Sequence, residues 1–198
     1  MDQTPVAYAR AYLLESVEAM QIAAGRNEYI DAIVAIAAAI ERSLRGGGKV
    51  MLAGNGGSAA DAQHIAGELV SRLDFDRAPL PAIALTADTS VLTAVGNDYG
   101  YEKVFERQVL GIGRTGDVLV AISTSGRSPN ILRALKSARS RDIVTVGFCG
   151  RDPRDMGPLC ELVLRAPCEH TPLIQQMHIT AAHVVCGLVE KALFSRKG

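Results

Sequence analysis

Val50-Met51-Leu52-Ala53-Gly54-Asn55-Gly56-Gly57-Ser58-Ala59-Ala60-Asp61-Ala62-Gln63-His64-Ile65-Ala66-Gly67-Glu68-Leu69 is the stretch whose reading decides the fold. An apolar run meets a glycine turn, and the turn feeds a helix-forming run, so the order is strand, turn, helix. Glycine lets the backbone approach a ligand closely and take positive φ. The N–H groups that open a helix have no partner within it, and they sit in a positive field. Ser58 as N-cap with Asp61 three residues on makes a capping box that needs no ligand. It leaves the three glycines and one asparagine of residues 54–58 unexplained, and those point to a ligand held against the turn. One turn deeper, His64 and Glu68 stand at i and i+4, on one helix face.

Working outward, the same alternation repeats. Lys49–Ala53, Ala82–Thr86, Asp117–Ser123, Ile143–Phe148 and Leu162–Arg165 read as strands. Helical patterns fall at 58–72, about 90–96, 102–111 and 129–140, and a long one closes the chain at Thr171–Phe194. Apolar strands separated by helices predict a sheet covered on both faces. The fold class is α/β: a doubly wound, mostly parallel five-stranded sheet flanked by helices. Ahead of it, Ala7, Ala11, Leu14, Val17 and Met20 recur at helical spacing, as do Ile30, Ile33, Ile36, Ile40 and Leu44. They predict an N-terminal helical hairpin over 1–46, ended by Gly46-Gly47-Gly48. Residues 47–198 form the α/β sandwich and C-terminal helix, and 1–198 are expected to make one domain.

Composition excludes several classes. Basic and acidic residues both number 21, so no net positive field invites nucleic acid. Trp is absent, which removes one base-stacking side chain. Met1-Asp2-Gln3-Thr4-Pro5 lacks the regions of a signal peptide, and no apolar run suggests a membrane span. Cys149, Cys160, Cys168 and Cys186 form no CxxC pair and read as reduced thiols. A cytoplasmic location is therefore expected.

Ligands of open α/β sheets bind beyond the carboxyl ends of strands. Three polar turns fall there: Asn55–Ser58, Thr86–Ser90 and Ser123–Ser128. Ser123-Thr124-Ser125-Gly126-Arg127-Ser128-Pro129-Asn130 brings several hydroxyls to a helix N-terminus, with Pro129 at the first helical position and Ser128 as N-cap. This can cradle phosphate, or be an ordinary capped serine loop. Walker and dinucleotide fingerprints are both absent. Two ligands are too few for zinc, so His64 and Glu68 need company. The last helix offers Gln175, Gln176, His178 and His183. Gln175 and His183 lie roughly 80° apart around an ideal helix, and Gln176 aligns better, so spacing does not choose between the glutamines. A histidine in a run as apolar as that around His183 is, by itself, most often a core residue. Asn97-Asp98-Tyr99-Gly100-Tyr101 reads as a loop, and Arg72 and Arg127 are free to meet an anion.

Four segments together resemble the sugar isomerase (SIS) family, and within it the phosphoheptose isomerases. They are LAGNGGSAADAQHIAGEL at 52–69, LTAVGNDYGYEKVF at 92–105, GDVLVAISTSGRSPNIL at 116–132 and TPLIQQMHITAAH at 171–183. The resemblance spans essentially the whole chain. STSGxS marks the wide superfamily, whereas GNGGS…HxxxE with a late Gln and His is far narrower.

The resemblance implies interconversion of sedoheptulose 7-phosphate and D-glycero-D-manno-heptose 7-phosphate, at the start of nucleotide-activated heptose synthesis for lipopolysaccharide and other surface glycans. It implies one Zn2+ per subunit on His64, Glu68, Gln175 and His183, choosing Gln175 over Gln176 by analogy alone. Phosphate contacts map to Ser123, Thr124, Ser125 and Ser128. Sugar contacts map to Asn55, Gly56, Gly57, Ser58, Glu68, Asn97, Asp98 and Gln175. Catalysis maps to Glu68 as base and His183 as acid–base partner, with Asp61 available to orient His64. A homotetramer with active sites between subunits is implied, with a sugar phosphate as the only ligand class. Some members carry a second acid before the ligand Glu, where this chain has Gly67. The alternative is a non-catalytic SIS-domain protein of the replication-initiator-associating type. Those lack the counterparts of Glu68 and His183, which this chain keeps.

Overall fold

The computed structural model of the protein describes residues 4–194. The outermost residues of the expected domain, 1–3 and 195–198, lie outside that range, as does most of the stretch read for a signal peptide. Helices α1 (Pro5–Ala24) and α2 (Asn27–Arg45) form the hairpin, and Gly46 caps α2. Then follow β1 (Val50–Gly54), α3 (Gly57–Val70), β2 (Ala82–Ala84), α4 (Thr89–Tyr99) and α5 (Val104–Ile112). The chain finishes with β3 (Val118–Ile122), α6 (Pro129–Arg139), β4 (Val144–Cys149), β5 (Leu162–Arg165) and α7 (Thr171–Phe194).

The five strands lie in the order β2-β1-β3-β4-β5, and every neighbouring pair is parallel. β1 and β3 are buried along their whole length, which explains why they read as unbroken apolar runs. One face packs under α2, α3 and α7, the other under α5 and α6. The order reverses between β1 and β3, the switch point at which such sheets bind ligands. Register completes the placement: Gly54 lies opposite Ile122, so Asn55 and Ser123 leave the sheet side by side.

Two expectations need correction. Ser58 does not cap α3. Gly56 does, at φ 55°, and the helix begins at Gly57 with no side-chain cap. Asn97, Asp98 and Tyr99 are not loop but the last turn of α4; the turn chemistry acts at Gly100 (φ 90°), which ends the helix. The hairpin forms as the spacing predicts, and the apolar residues of α1 divide: Met20 packs on the core beside buried Ser16, Ala19 and Ala23, while Leu14 and Val17 are 62% and 54% exposed. Small residues allow α1 to lie close on its neighbours, and periodicity alone cannot say which face that will be.

Helix α7 has the length and mean hydropathy of a membrane span, yet half of that window is buried inside the fold. It packs against α2 and α3 as the core helix of the sandwich.

Candidate functional site

Helices α3 and α7 run side by side in the same direction. Gly57 at the start of α3 meets Gln175, His64 meets His183, and the segment just past α3 meets Glu190. His64 Nε2 lies 2.9 Å from His183 Nε2 and 3.2 Å from Glu68 Oε1. The ligand atoms of His64, Glu68 and His183 all fall within 4.8 Å of one another. Two imidazoles and a carboxylate around one point form a set that can hold a divalent cation. Zinc–ligand bonds of about 2.0–2.1 Å in tetrahedral geometry put ligand atoms about 3.3 Å apart, close to these spacings. Three protein ligands are what a catalytic zinc site uses, with a position left for water or substrate. All three side chains retain some exposure, so a ligand can reach them.

The two glutamines part company. Gln175 lies against the α3 start, where a Cβ on Gly57 would stand 2.6 Å from Gln175 Nε2. Gln176 turns away and accepts from Ser16 Oγ of α1 at 2.6 Å. His178 is fully buried and belongs to the core. Its Nε2 meets the Cys149 carbonyl at 3.0 Å, its ring lies against Phe148, and its Nδ1 has no partner. Burial pushes its pKa down to about 4. Asp61, one turn before His64, has a buried Oδ2 without a hydrogen bond. Burial raises its pKa, and the nearby His64 partly opposes that rise.

The serine loop sits beside this cluster's helix through the sheet register. Ser123 Oγ is 2.9 Å from Ser128 Oγ and 3.5 Å from Ser125 Oγ. Ser128 is the N-cap residue of α6, as expected, but its hydroxyl faces Ser123 and makes no cap bond. Hydroxyls of three serines thus gather in front of a helix N-terminus, an arrangement that suits an anion. Thr124 and Ser125 also line a cavity of about 300 Å³, rimmed by Arg127, Arg151 and Arg154. Of the two arginines left free to meet an anion, Arg127 is at this rim and Arg72 is exposed elsewhere.

A residue that motif reading passed over joins the two halves. Asn130, buried in the first turn of α6, exchanges two amide hydrogen bonds with Asn55, at 2.9 and 2.8 Å. Tyr101 also donates to Asn55 Oδ1 at 3.3 Å. The glycine turn is therefore tied to the serine loop. The only sequence signal was an Asn directly behind Ser128-Pro129. Asn97 and Asp98 are exposed and bonded to each other, with no hydrogen bond to another site residue among the described residues.

A larger cavity, about 890 Å³, lies elsewhere, lined in part by Gly46–Lys49 and Gly111–Asp117. It is at the amino ends of the strands, where parallel sheets do not present their ligand loops.

An all-parallel sheet with polar loops gathered at its switch point defines the class of an α/β protein that binds a small polar ligand at the carboxyl ends of its strands. A model of the SIS domain matches residues 14–150. The chain is 49% identical to the phosphoheptose isomerase of Burkholderia pseudomallei (strain 1710b), over 100% of both chains. It is 55% identical to that of Bradyrhizobium sp. (strain ORS 278), over 92% of each. The solved phosphoheptose isomerase of Neisseria gonorrhoeae superposes with a TM-score of 0.87 at 40% identity, covering 93% of this chain and 97% of that one. The chain belongs to the phosphoheptose isomerase family of SIS-domain proteins, and it is an isomerase.

Proposed function

We propose that this chain interconverts sedoheptulose 7-phosphate and D-glycero-D-manno-heptose 7-phosphate, supplying nucleotide-activated heptose synthesis. It works as one SIS domain, in a cytoplasmic homotetramer. The observation that carries the reading is the convergence of His64, Glu68 and His183 on α3 and α7, with α3 leaving the sheet at the switch point next to the serine loop. The names of its relatives point to the same substrate class.

Aldose–ketose interconversion moves a proton between neighbouring carbons through an enediol, so it needs a base within reach of both. Glu68 takes that role. In the ketose-to-aldose direction its carboxylate removes a proton from C1 and delivers it to C2. O1 meanwhile loses its hydroxyl proton and O2 gains one, a transfer assigned to His183. Gln175 and Asn55, with the backbone of Gly56, Gly57 and Ser58 and the side chains of Asn97 and Asp98, hold the sugar hydroxyls. Ser123, Thr124, Ser125 and Ser128 hold the phosphate and so fix the distance from it to the reacting carbons. Zn2+ on His64, Glu68, Gln175 and His183 would supply Lewis acidity to the sugar oxygens.

A non-catalytic binding protein on the same scaffold has no need for Glu68 and His183 to meet. Incubation with sedoheptulose 7-phosphate, followed by detection of the aldose, separates the two. Glu68→Gln should lower kcat by about 10²–10⁴, while the folded state and sugar-phosphate binding persist. Near-normal turnover by that variant would remove Glu68 from the mechanism, and full activity after chelation would remove the metal.

A further inference from the structure

Below the ligand cluster, α3 and α7 meet a second time, through a buried ion pair. Arg77, in the segment that follows α3, donates from Nε to Glu190 Oε1 of α7 at 2.8 Å. The two side chains are 2% and 1% exposed. The same carboxylate accepts from the backbone N–H of Leu73 at 3.2 Å and of Asp74 at 2.8 Å. The Arg77 guanidinium lies over the Phe194 ring at the end of α7, 5.5 Å from its centroid.

The other face of the guanidinium serves α3. Arg77 Nη2 donates to the Glu68 carbonyl at 2.8 Å, and Nη1 donates to the Leu69 carbonyl at 2.8 Å. The last carbonyls of a helix have no partner within it. A left-handed glycine often supplies one, but α3 ends at Ser71, with φ −86° and only one backbone cap bond, to Gly67. The Leu80 N–H shares the Leu69 carbonyl at 3.1 Å; Arg77 supplies the second bond there and the side-chain bond to the Glu68 carbonyl, and its positive charge also suits the negative end of the helix dipole. Glu68 lies in the turn thus capped. On α7, His183 and Glu190 are seven residues apart, nearly one line down a helix and about 10 Å along it. The face that presents His183 to His64 therefore also presents Glu190 to Arg77.

We propose that Arg77 and Glu190 are positioning residues for the ligand cluster: their ion pair caps the last turn of α3 and fixes it to α7, holding Glu68 and His183 within reach of one point. This rests on the reading of that cluster as a metal and proton-transfer site. Breaking a buried pair that had only a structural role would lower stability and leave the site's metal affinity alone. Positioning groups behind metal ligands typically change affinity or activity by about 10–100-fold.

The test uses the full chain and three variants. Arg77→Met removes charge and caps, Glu190→Gln keeps shape without charge, and Asp117→Asn is a control for lost buried ion pairs. Asp117 is bonded to Lys49 and to the Arg114 N–H at the opposite end of the sheet, far from the cluster. Zinc affinity is read by competition with a chromogenic chelator, alongside kcat, KM and the melting temperature. Arg77→Met and Glu190→Gln should each weaken zinc binding at least tenfold and lower kcat at least tenfold, with KM within threefold. Asp117→Asn should lose thermal stability yet keep zinc affinity within twofold. If Arg77→Met does not fold, Arg77→Lys keeps the charge but not the paired carbonyl bonds, and the same losses are expected of it. Unchanged zinc affinity and kcat in folded variants overturn the proposal. So does an Asp117→Asn control that loses zinc equally. If the parent chain binds no zinc, it is the metal reading that fails, and the split between kcat and KM alone decides the positioning role.

Discussion

Gly57 and Gln175 show how much of the site turns on single atoms. A Cβ at position 57 would come within 2.6 Å of Gln175 Nε2 and 3.0 Å of its Cδ. Gln175 is a flexible side chain, so the conflict is relieved by moving it rather than by unfolding the chain. Gly57→Ala should therefore lower kcat/KM at least tenfold while the melting temperature changes by less than about 4 °C, a shift worth about 1–2 kcal/mol in a chain of this size. Unchanged activity would mean that Gln175 holds neither sugar nor metal. Spacing alone put His64 and Glu68 on one helix face, because i, i+4 geometry is a local signal; His183 was assigned by family resemblance, since a histidine in an apolar helix reads equally as core, which is what His178 is. The choice between Gln175 and Gln176 was not local. It depends on Ser16, 160 residues away in sequence, which occupies Gln176. Arg77 and Asn130 were missed for the same reason, since their partners Glu190 and Asn55 are remote in sequence.

At the scale of elements, strands were the more legible part. β1, β3 and β4 are buried and apolar, so their sequences carry one message. Helices carry two, a face and a partner, and only the face is written locally. α1 is the clear case. Val6, Leu13, Leu14 and Val17 are more than half exposed in the single chain, as is Val34 on α2. Apolar surface gathered this way marks an interaction face. The homotetramer proposed above gives it a partner in a second copy of the chain. Leu14→Glu with Val17→Lys should then shift the sedimentation profile to smaller species, with little change in the melting of the monomer's own core. An unaltered profile would place the subunit contact elsewhere. α4 makes the converse point. Its polar Asn97-Asp98 end looked like loop because the composition of a helix's final turn and that of the turn after it are alike.

For the whole molecule, acid stability follows from two buried groups on α7 with different windows. His178 is wholly buried, and its pKa falls from 6.5 in the unfolded chain to about 4 in the fold. Between those values the unfolded chain binds the proton and the folded chain does not, so stability rises with pH. The contribution is intact above the unfolded pKa and is lost as pH falls toward about 4. Glu190 differs. Burial alone would raise its carboxyl, but the Asp74 and Leu73 N–H groups and the Arg77 guanidinium outweigh that and hold it below its ordinary value. Its contribution is present above the usual carboxylate range and disappears only below it. Acidification from pH 7.5 to 5 should thus act through His178, costing about 2 kcal/mol by linkage, while the Arg77–Glu190 pair stays charged. Urea unfolding at the two pH values checks this at fixed protein concentration. His178→Leu loses the bond to Cys149 and is less stable at neutral pH, but its midpoint should fall less between pH 7.5 and 5 than that of the parent chain. Equal slopes in the two proteins would show that other groups set the acid response.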